Sequence, residues 1–275
     1  MRFIFSVLTL LCLCGVARAD FEPIAIPTDD KPLQAVLYRP AGEGPFPFVI
    51  ALPGCNGLRK QTGEIRSLWE GWGRRLSQAG FGVIFPDSYS SRGLAAQCRD
   101  KPNRPHASQL RPERERVADI LAAREWLQQQ YFARKDRIAL LGWDSGAIAV
   151  LWAVRPNQDP DDELPDFRSA AVLYPGCQRL NDTAWSARIP TLVLIGARDD
   201  RTHVKACEQM VAGARGRSAR AVIVKYRGAN HAFDDTHVKP AHKRSNPTPA
   251  SSRLNLGDVE ARTDAFKRIP EWLSR

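Results

Sequence analysis

Two stretches of this chain are apolar on both of their alternating faces: Phe46–Leu52 (FPFVIAL) and residues 138–141 (IALL). A strand with one wet face alternates polar and apolar residues, so runs like these belong to strands covered on both sides. Further strand-like runs lie at Leu33–Tyr38, 81–85, 170–174, 191–195 and Ala221–Tyr226. The covers come from segments with helical spacing. Residues 64–79 place Ile65, Leu68, Trp69, Trp72 and Leu76 on one face and stop at Gly80. Residues 113–130 do the same with Val117, Ile120, Leu121 and Leu127, and helices are expected from Ser145, over 203–213 and over 258–273. Strand and helix in alternation predict the α/β class, with a mostly parallel central sheet and helices on both faces. Residues 88–111 and 236–255 break the rhythm as polar loops. No repeat, second domain or lid-sized insertion between residues 174 and 191 is visible, so residues 20–275 are expected to form one domain.

The first nineteen residues stand apart. Arg2 gives a positive start, residues 3–16 are almost wholly apolar, and Ala17-Arg18-Ala19 offers small residues for cleavage before Asp20. The run is shorter than the ~20 residues a spanning helix needs, so the expectation is a removable leader, an exported protein and no stable membrane anchor. Without Arg2 and Arg18 the formal charge of +10 falls to about +8. That charge is dispersed and carries no recognition motif or aromatic–basic interleaving, so nucleic acid is not expected as a partner. A plain solvated surface accounts for it first, and a small, anionic substrate second. Four of the six cysteines lie beyond the leader, Cys55, Cys98, Cys177 and Cys207. Their wide spacing argues against zinc and, in an oxidising compartment, for disulfides of open connectivity.

In a parallel sheet the loops at the carboxyl ends of the strands share one crevice. The stretch RIALLGWDSGAIAVL, residues 137–151, reads as strand, tight turn and small-residue helix, with Gly142 and Gly146 bracketing Asp144. That is the layout of a nucleophile elbow, G-x-S-x-G, with aspartate at the centre and the serine one place later. The turn PGCNGL after residue 52 can aim backbone N–H groups at a developing oxyanion. Its candidates are Cys55 and Asn56, partnered by the N–H of Ser145. After residue 195 comes GARDDRTH, where Asp199, or its neighbour Asp200, can accept from a histidine. After Tyr226 comes RGANHAFDD, where His231 can act as a base. The order elbow, acid, histidine is that of the α/β-hydrolases.

The ordered set PGCNGL, FPDSYSSRGLAAQC, RIALLGWDSGAIAVL, AVLYPGC, LVLIGARDDRTHVKACEQM and YRGANHAFD resembles the dienelactone hydrolase family over residues 30–235. The resemblance implies a single-domain α/β-hydrolase fold, no cofactor or metal, and hydrolysis of a small ester or lactone. It also implies Asp199 as the triad acid and His231 as the base. The departure is Asp144, where the family carries Cys or Ser. Cys55 with Cys98 and Cys177 with Cys207 are the expected disulfides, the first pair following neighbouring strand ends. Arg92, in SSRG, is a candidate for holding a substrate carboxylate.

An aspartate changes the chemistry the elbow can do. Attack on an ester carbonyl would give a mixed anhydride, whereas attack on a saturated carbon gives an alkyl ester that activated water can clear. In that respect the elbow is similar to those of dehalogenases and epoxide hydrolases, without their lid. Asp144 could instead act as a general base on water, or the site could bind without turnover. Ser145 as nucleophile would need a one-residue shift of the turn, since a helix-opening serine there turns its side chain away.

Overall fold

The computed structural model describes residues 21–98, 110–156, 164–236 and 256–275. The leader expected over residues 1–19 lies outside them, as do residues 99–109 and 237–255 of the two polar loops. Eight strands make one sheet: β1 (Phe21–Ile26), β2 (Leu33–Tyr38), β3 (Phe46–Leu52), β4 (Gly82–Pro86), β5 (Ala133–Trp143), β6 (Ala170–Leu173), β7 (Thr191–Gly196) and β8 (Ala221–Tyr226). Their spatial order is β1-β2-β4-β3-β5-β6-β7-β8. The helices are α1 (Ser67–Gln78), α2 (Glu115–Gln128), α3 (Ser145–Ala153), α4 (Gln178–Asp182), α5 (Val204–Gly213) and α6 (Leu256–Leu273).

From β4 to β8 neighbouring strands run parallel; β1 and β2 form an antiparallel edge. The antiparallel edge has a local cause. Residues 27–32 between β1 and β2, and 39–45 between β2 and β3, are each too few for the crossover that parallel strands need. The central strands are buried on both faces, as their continuous apolar runs require. Phe48, Ile50 and Leu52 of β3 face one core with α2, α3 and α5, and Val49 and Ala51 face the other with α1 and α6. Each such large side chain contributes about 1.5–3 kcal/mol by leaving water.

The expected helix over residues 64–79 begins later, at Ser67, because residues 59–65 close a small hairpin first. Lys60 N–H donates to Glu64 O, Arg59 bridges Ile65, and Ile65 is buried from that turn. Both expected disulfides are present, Cys55–Cys98 and Cys177–Cys207. The first ties the loop after β3 to the loop after β4, and the second ties the turn after β6 to α5. All loops discussed below leave the same end of the sheet.

Candidate functional site

Asp144 joins β5 to α3 with φ 49° and ψ −114°, a conformation that a non-glycine residue adopts only when its surroundings impose it. The imposition is visible on either side. A Cβ on Gly146 would lie 2.1 Å from Leu52 O, and one on Gly142 would lie 2.7 Å from Gly146 O. Strand and helix therefore close on each other only because both positions lack a side chain. Gly146→Ala is expected to lower stability by about 2 kcal/mol or more, since its contacts are main chain and cannot swing aside. A thermal midpoint within a degree of wild type would contradict that reading of the turn. Two further non-glycine residues with positive φ, Tyr174 (41°) and Ala232 (55°), border the same crevice.

The loop after β3 supplies a donor to the elbow. Cys55 N–H donates to Asp144 Oδ2 at 3.1 Å. Gln97 N–H donates to Cys55 O at 2.6 Å, which, with the Cys55–Cys98 bridge, fixes that peptide. Asn56 is exposed, and its carbonyl accepts from Arg66 Nε, so the contact with the carboxylate falls to Cys55. Ser145 opens α3, where the first N–H groups of a helix have no partner within it. Its side chain turns away from the crevice, as expected: Ser145 Oγ lies 3.1 Å from Arg116 Nη1 and 3.3 Å from Tyr89 Oη.

On the other side of the crevice His231 Nδ1 lies 2.9 Å from Asp199 Oδ2. Thr202 Oγ1 also donates to Oδ2, and the N–H groups of Arg201 and Thr202 donate to Oδ1. Burial pushes the Asp199 carboxyl up, but the bond and charge of His231 and the Thr202 donors outweigh it and hold the group below its ordinary range. An ionised Asp199 accepts, so Nδ1 donates and Nε2 is left as the basic nitrogen. Of the two candidate acids, Asp199 meets the histidine. The ring of Tyr174 packs 4.6 Å from the imidazole, centroid to centroid, and also feels the negative charge of Asp144. Asp144 and His231 thus share Tyr174 as a neighbour.

Three features of the site go unannounced by the motifs, although Asp234 closes YRGANHAFD and Arg92 lies in SSRG. Asp234, 1% exposed, accepts from Trp72 Nε1 (2.8 Å), Trp143 Nε1 (2.9 Å) and Tyr174 Oη (2.7 Å). Its burial pushes the carboxyl up in spite of those three donors. Arg116, also 1% exposed, donates to Pro53 O at 2.6 Å as well as reaching Ser145. It meets no carboxylate among the described residues. One guanidinium thereby joins the loop that carries Cys55 to the start of α3. Arg116 stands four residues before Ile120 on the apolar face of α2, and a charge at that spacing was its available signal. Arg92 is the third feature. Its Nη2 donates to Asp119 Oδ1 at 2.7 Å and its Nη1 to Asp119 Oδ2 and Ser88 O. Its forked face holds the buried Asp119 of α2, in place of the expected substrate carboxylate.

Among the described residues no cluster of three or more His, Cys, Asp or Glu could hold a metal ion, and no helix is long and apolar enough to cross a membrane. The chain resembles proteins with known structures over most of its length. A dienelactone hydrolase from Klebsiella pneumoniae superposes with a TM-score of 0.71 at 23% identity, over 93% of this chain and 98% of that one. Esterase 2 of Thermogutta terrifontis does so with a TM-score of 0.63 at 14% identity, over 93% and 95%. These likenesses place the sheet and its helices in the α/β-hydrolase fold. In sequence, a Bradyrhizobium protein named as a 2-oxo-3-(5-oxofuran-2-ylidene)propanoate lactonase is 23% identical over 84% of this chain and 90% of its own length. A protein of Escherichia coli K12 named as a carboxymethylenebutenolidase is 24% identical over 91% and 85%. The family pattern itself matches residues 33–275, from the first residue of β2 through α6, and so spans every loop that builds the crevice: the chain is a hydrolase belonging to the dienelactone hydrolase family.

Proposed function

We propose that this protein is an exported hydrolase of small esters, lactones or related electrophiles, acting through Asp144, His231 and Asp199 with no cofactor. The observation that carries this reading is the shielded His231–Asp199 pair across the crevice from a carboxylate on a strained backbone, which already meets a backbone N–H. An ionised Asp199 fixes the imidazole so that Nε2 can take a proton from water, and charge built on that ring is offset by the carboxylate behind it. The Cys55 and Ser145 N–H groups form the pole toward which an oxyanion would develop. The names of the relatives, a lactonase and a carboxymethylenebutenolidase, favour lactones among the candidate substrates. Export is supported by the leader sequence and by two disulfides, which persist in oxidising compartments.

The test is turnover of a panel of short lactones, activated esters and alkyl halides by wild type and His231→Ala. Wild type is expected to turn over at least one member, and the variant to lose on the order of 10²–10⁴ in kcat with little change in KM. Equal rates in the two proteins, or a wild type inert toward the whole panel, would contradict the proposal.

A further inference from the structure

We infer that Asp144 is an alkyl acceptor: its free oxygen displaces a leaving group from a saturated carbon, and the ester so formed is cleared by water that His231 deprotonates. The inference rests on the hydrolase reading above and names the kind of electrophile.

The contact between Cys55 N–H and Asp144 Oδ2 decides the matter. In acyl transfer that N–H must meet the oxygen of the substrate's own carbonyl as charge builds there. Here the enzyme's carboxylate already occupies it. A substrate carbonyl would have to displace Asp144 Oδ2 from its hydrogen bond, and attack by Asp144 would then yield an anhydride. The same contact suits an ester of Asp144. With a carbon bonded to Oδ1, Oδ2 becomes the carbonyl oxygen of that ester and stands where the N–H of Cys55 polarises it. The carbonyl that water attacks belongs to the protein and is positioned before any substrate arrives.

Other observations agree. Oδ1 has no partner among the described residues, so a lone pair is available. Asp144 is half-buried and can be reached from the crevice. Its backbone is held at φ 49° between two glycines, which fixes the line of approach. Ser145 Oγ is engaged by Arg116 and Tyr89, so it does not compete as a nucleophile.

The steps balance without an added reactant. Oδ1 bonds to the saturated carbon as the carbon–leaving-group bond breaks, and the leaving group departs with the electron pair. Water then attacks Cγ while its proton passes to His231 Nε2, with negative charge collecting on Oδ2. Collapse expels the alkoxide, which takes the proton back from His231, and the new carboxylic acid of Asp144 loses its proton to solvent. The first step supplies no proton to the leaving group. The substrates that fit therefore carry one that is stable as an anion: a halide, or the carboxylate of a strained lactone opened at its alkyl carbon.

The experiment uses 2-bromopropionate and β-butyrolactone as probes. His231→Gln, which keeps the first step and lacks the base for the second, is incubated with each, and the peptide bearing Asp144 is weighed by mass spectrometry. Wild type is run over many turnovers in heavy-oxygen water and weighed likewise. The expected results are close to one adduct per chain at Asp144 in His231→Gln, none at that position when Asp144→Asn is added, and heavy oxygen in the Asp144 carboxylate of wild type. Hydrolysis of esters or lactones by wild type with neither an adduct nor heavy oxygen at Asp144 would overturn this inference and leave the hydrolase reading standing. A wild type inert toward probes and panel alike would overturn both.

Discussion

Asp199→Asn is expected to cut kcat by on the order of 10³–10⁴ while the protein stays folded, because it inverts the histidine rather than removing it. Two backbone N–H groups, those of Arg201 and Thr202, donate to Oδ1, so the amide oxygen of an asparagine must take that side. Its NH₂ group then replaces Oδ2 and faces Thr202 Oγ1 and His231 Nδ1. The hydroxyl can rotate to accept. The imidazole can accept only by moving its proton to Nε2, the nitrogen that must take one from water. The variant should therefore lose kcat with KM nearly unchanged. The substitution also changes how stability depends on pH. The Asp199 carboxyl is held below its ordinary range in the folded chain, so its stabilising contribution is complete above the unfolded-state value. It is lost as pH falls through the lowered folded value, and Asp199→Asn removes that component. Wild-type kcat in Asp199→Asn would mean that the pair does not set the tautomer.

Asp234→Ala is expected to have the largest effect on stability, about 3–5 kcal/mol in chemical denaturation. Its carboxyl is the acceptor for two indole N–H groups and one phenol hydroxyl, from α1, β5 and the residue after β6. A buried donor left without a partner costs about 1–3 kcal/mol, and three are orphaned at once. Water entering the vacated space would recover part of that, which keeps the figure below the simple total. The loss should reach the crevice as well, since Tyr174 is one of the three and packs against His231. A change of less than about 1 kcal/mol would show that the network does not hold α1 to the sheet.

Why the strand ends could be read in the sequence and their supports could not follows from particular residues. Strands β2, β3 and β8 lie where the sequence placed them, because runs such as FPFVIAL have no amphipathic reading. Strand β1 was not visible: FEPIAI carries Glu22 and Pro23, and only Ile26 is buried. It is a strand because an antiparallel edge lets it keep polar residues in solvent. The start of β5, Arg134, Lys135 and Asp136, is exposed as well, ahead of the buried run from Ile138. At the site, Asp144, Asp199 and His231 each follow a legible strand in a glycine-bearing loop, so order along the chain sufficed to put Asp199 beside His231 and all three at the same end of the sheet. Arg116 and Asp234 act from inside the core through long-range hydrogen bonds, and no local pattern announces a partner 63 or 162 residues away. Arg92 shows the converse. Its loop position suggested a ligand contact, but the buried Asp119 one helix away claims it.

The measurement that bears most directly on the central claim is kcat for Asp144→Ala beside wild type, on whichever lactone or ester wild type turns over best. Loss of at least on the order of 10⁴ in kcat, with the thermal midpoint preserved, is the expected result. An Asp144→Ala enzyme that keeps the wild-type rate would contradict the account, and chemistry at this elbow would then have to be sought away from its aspartate.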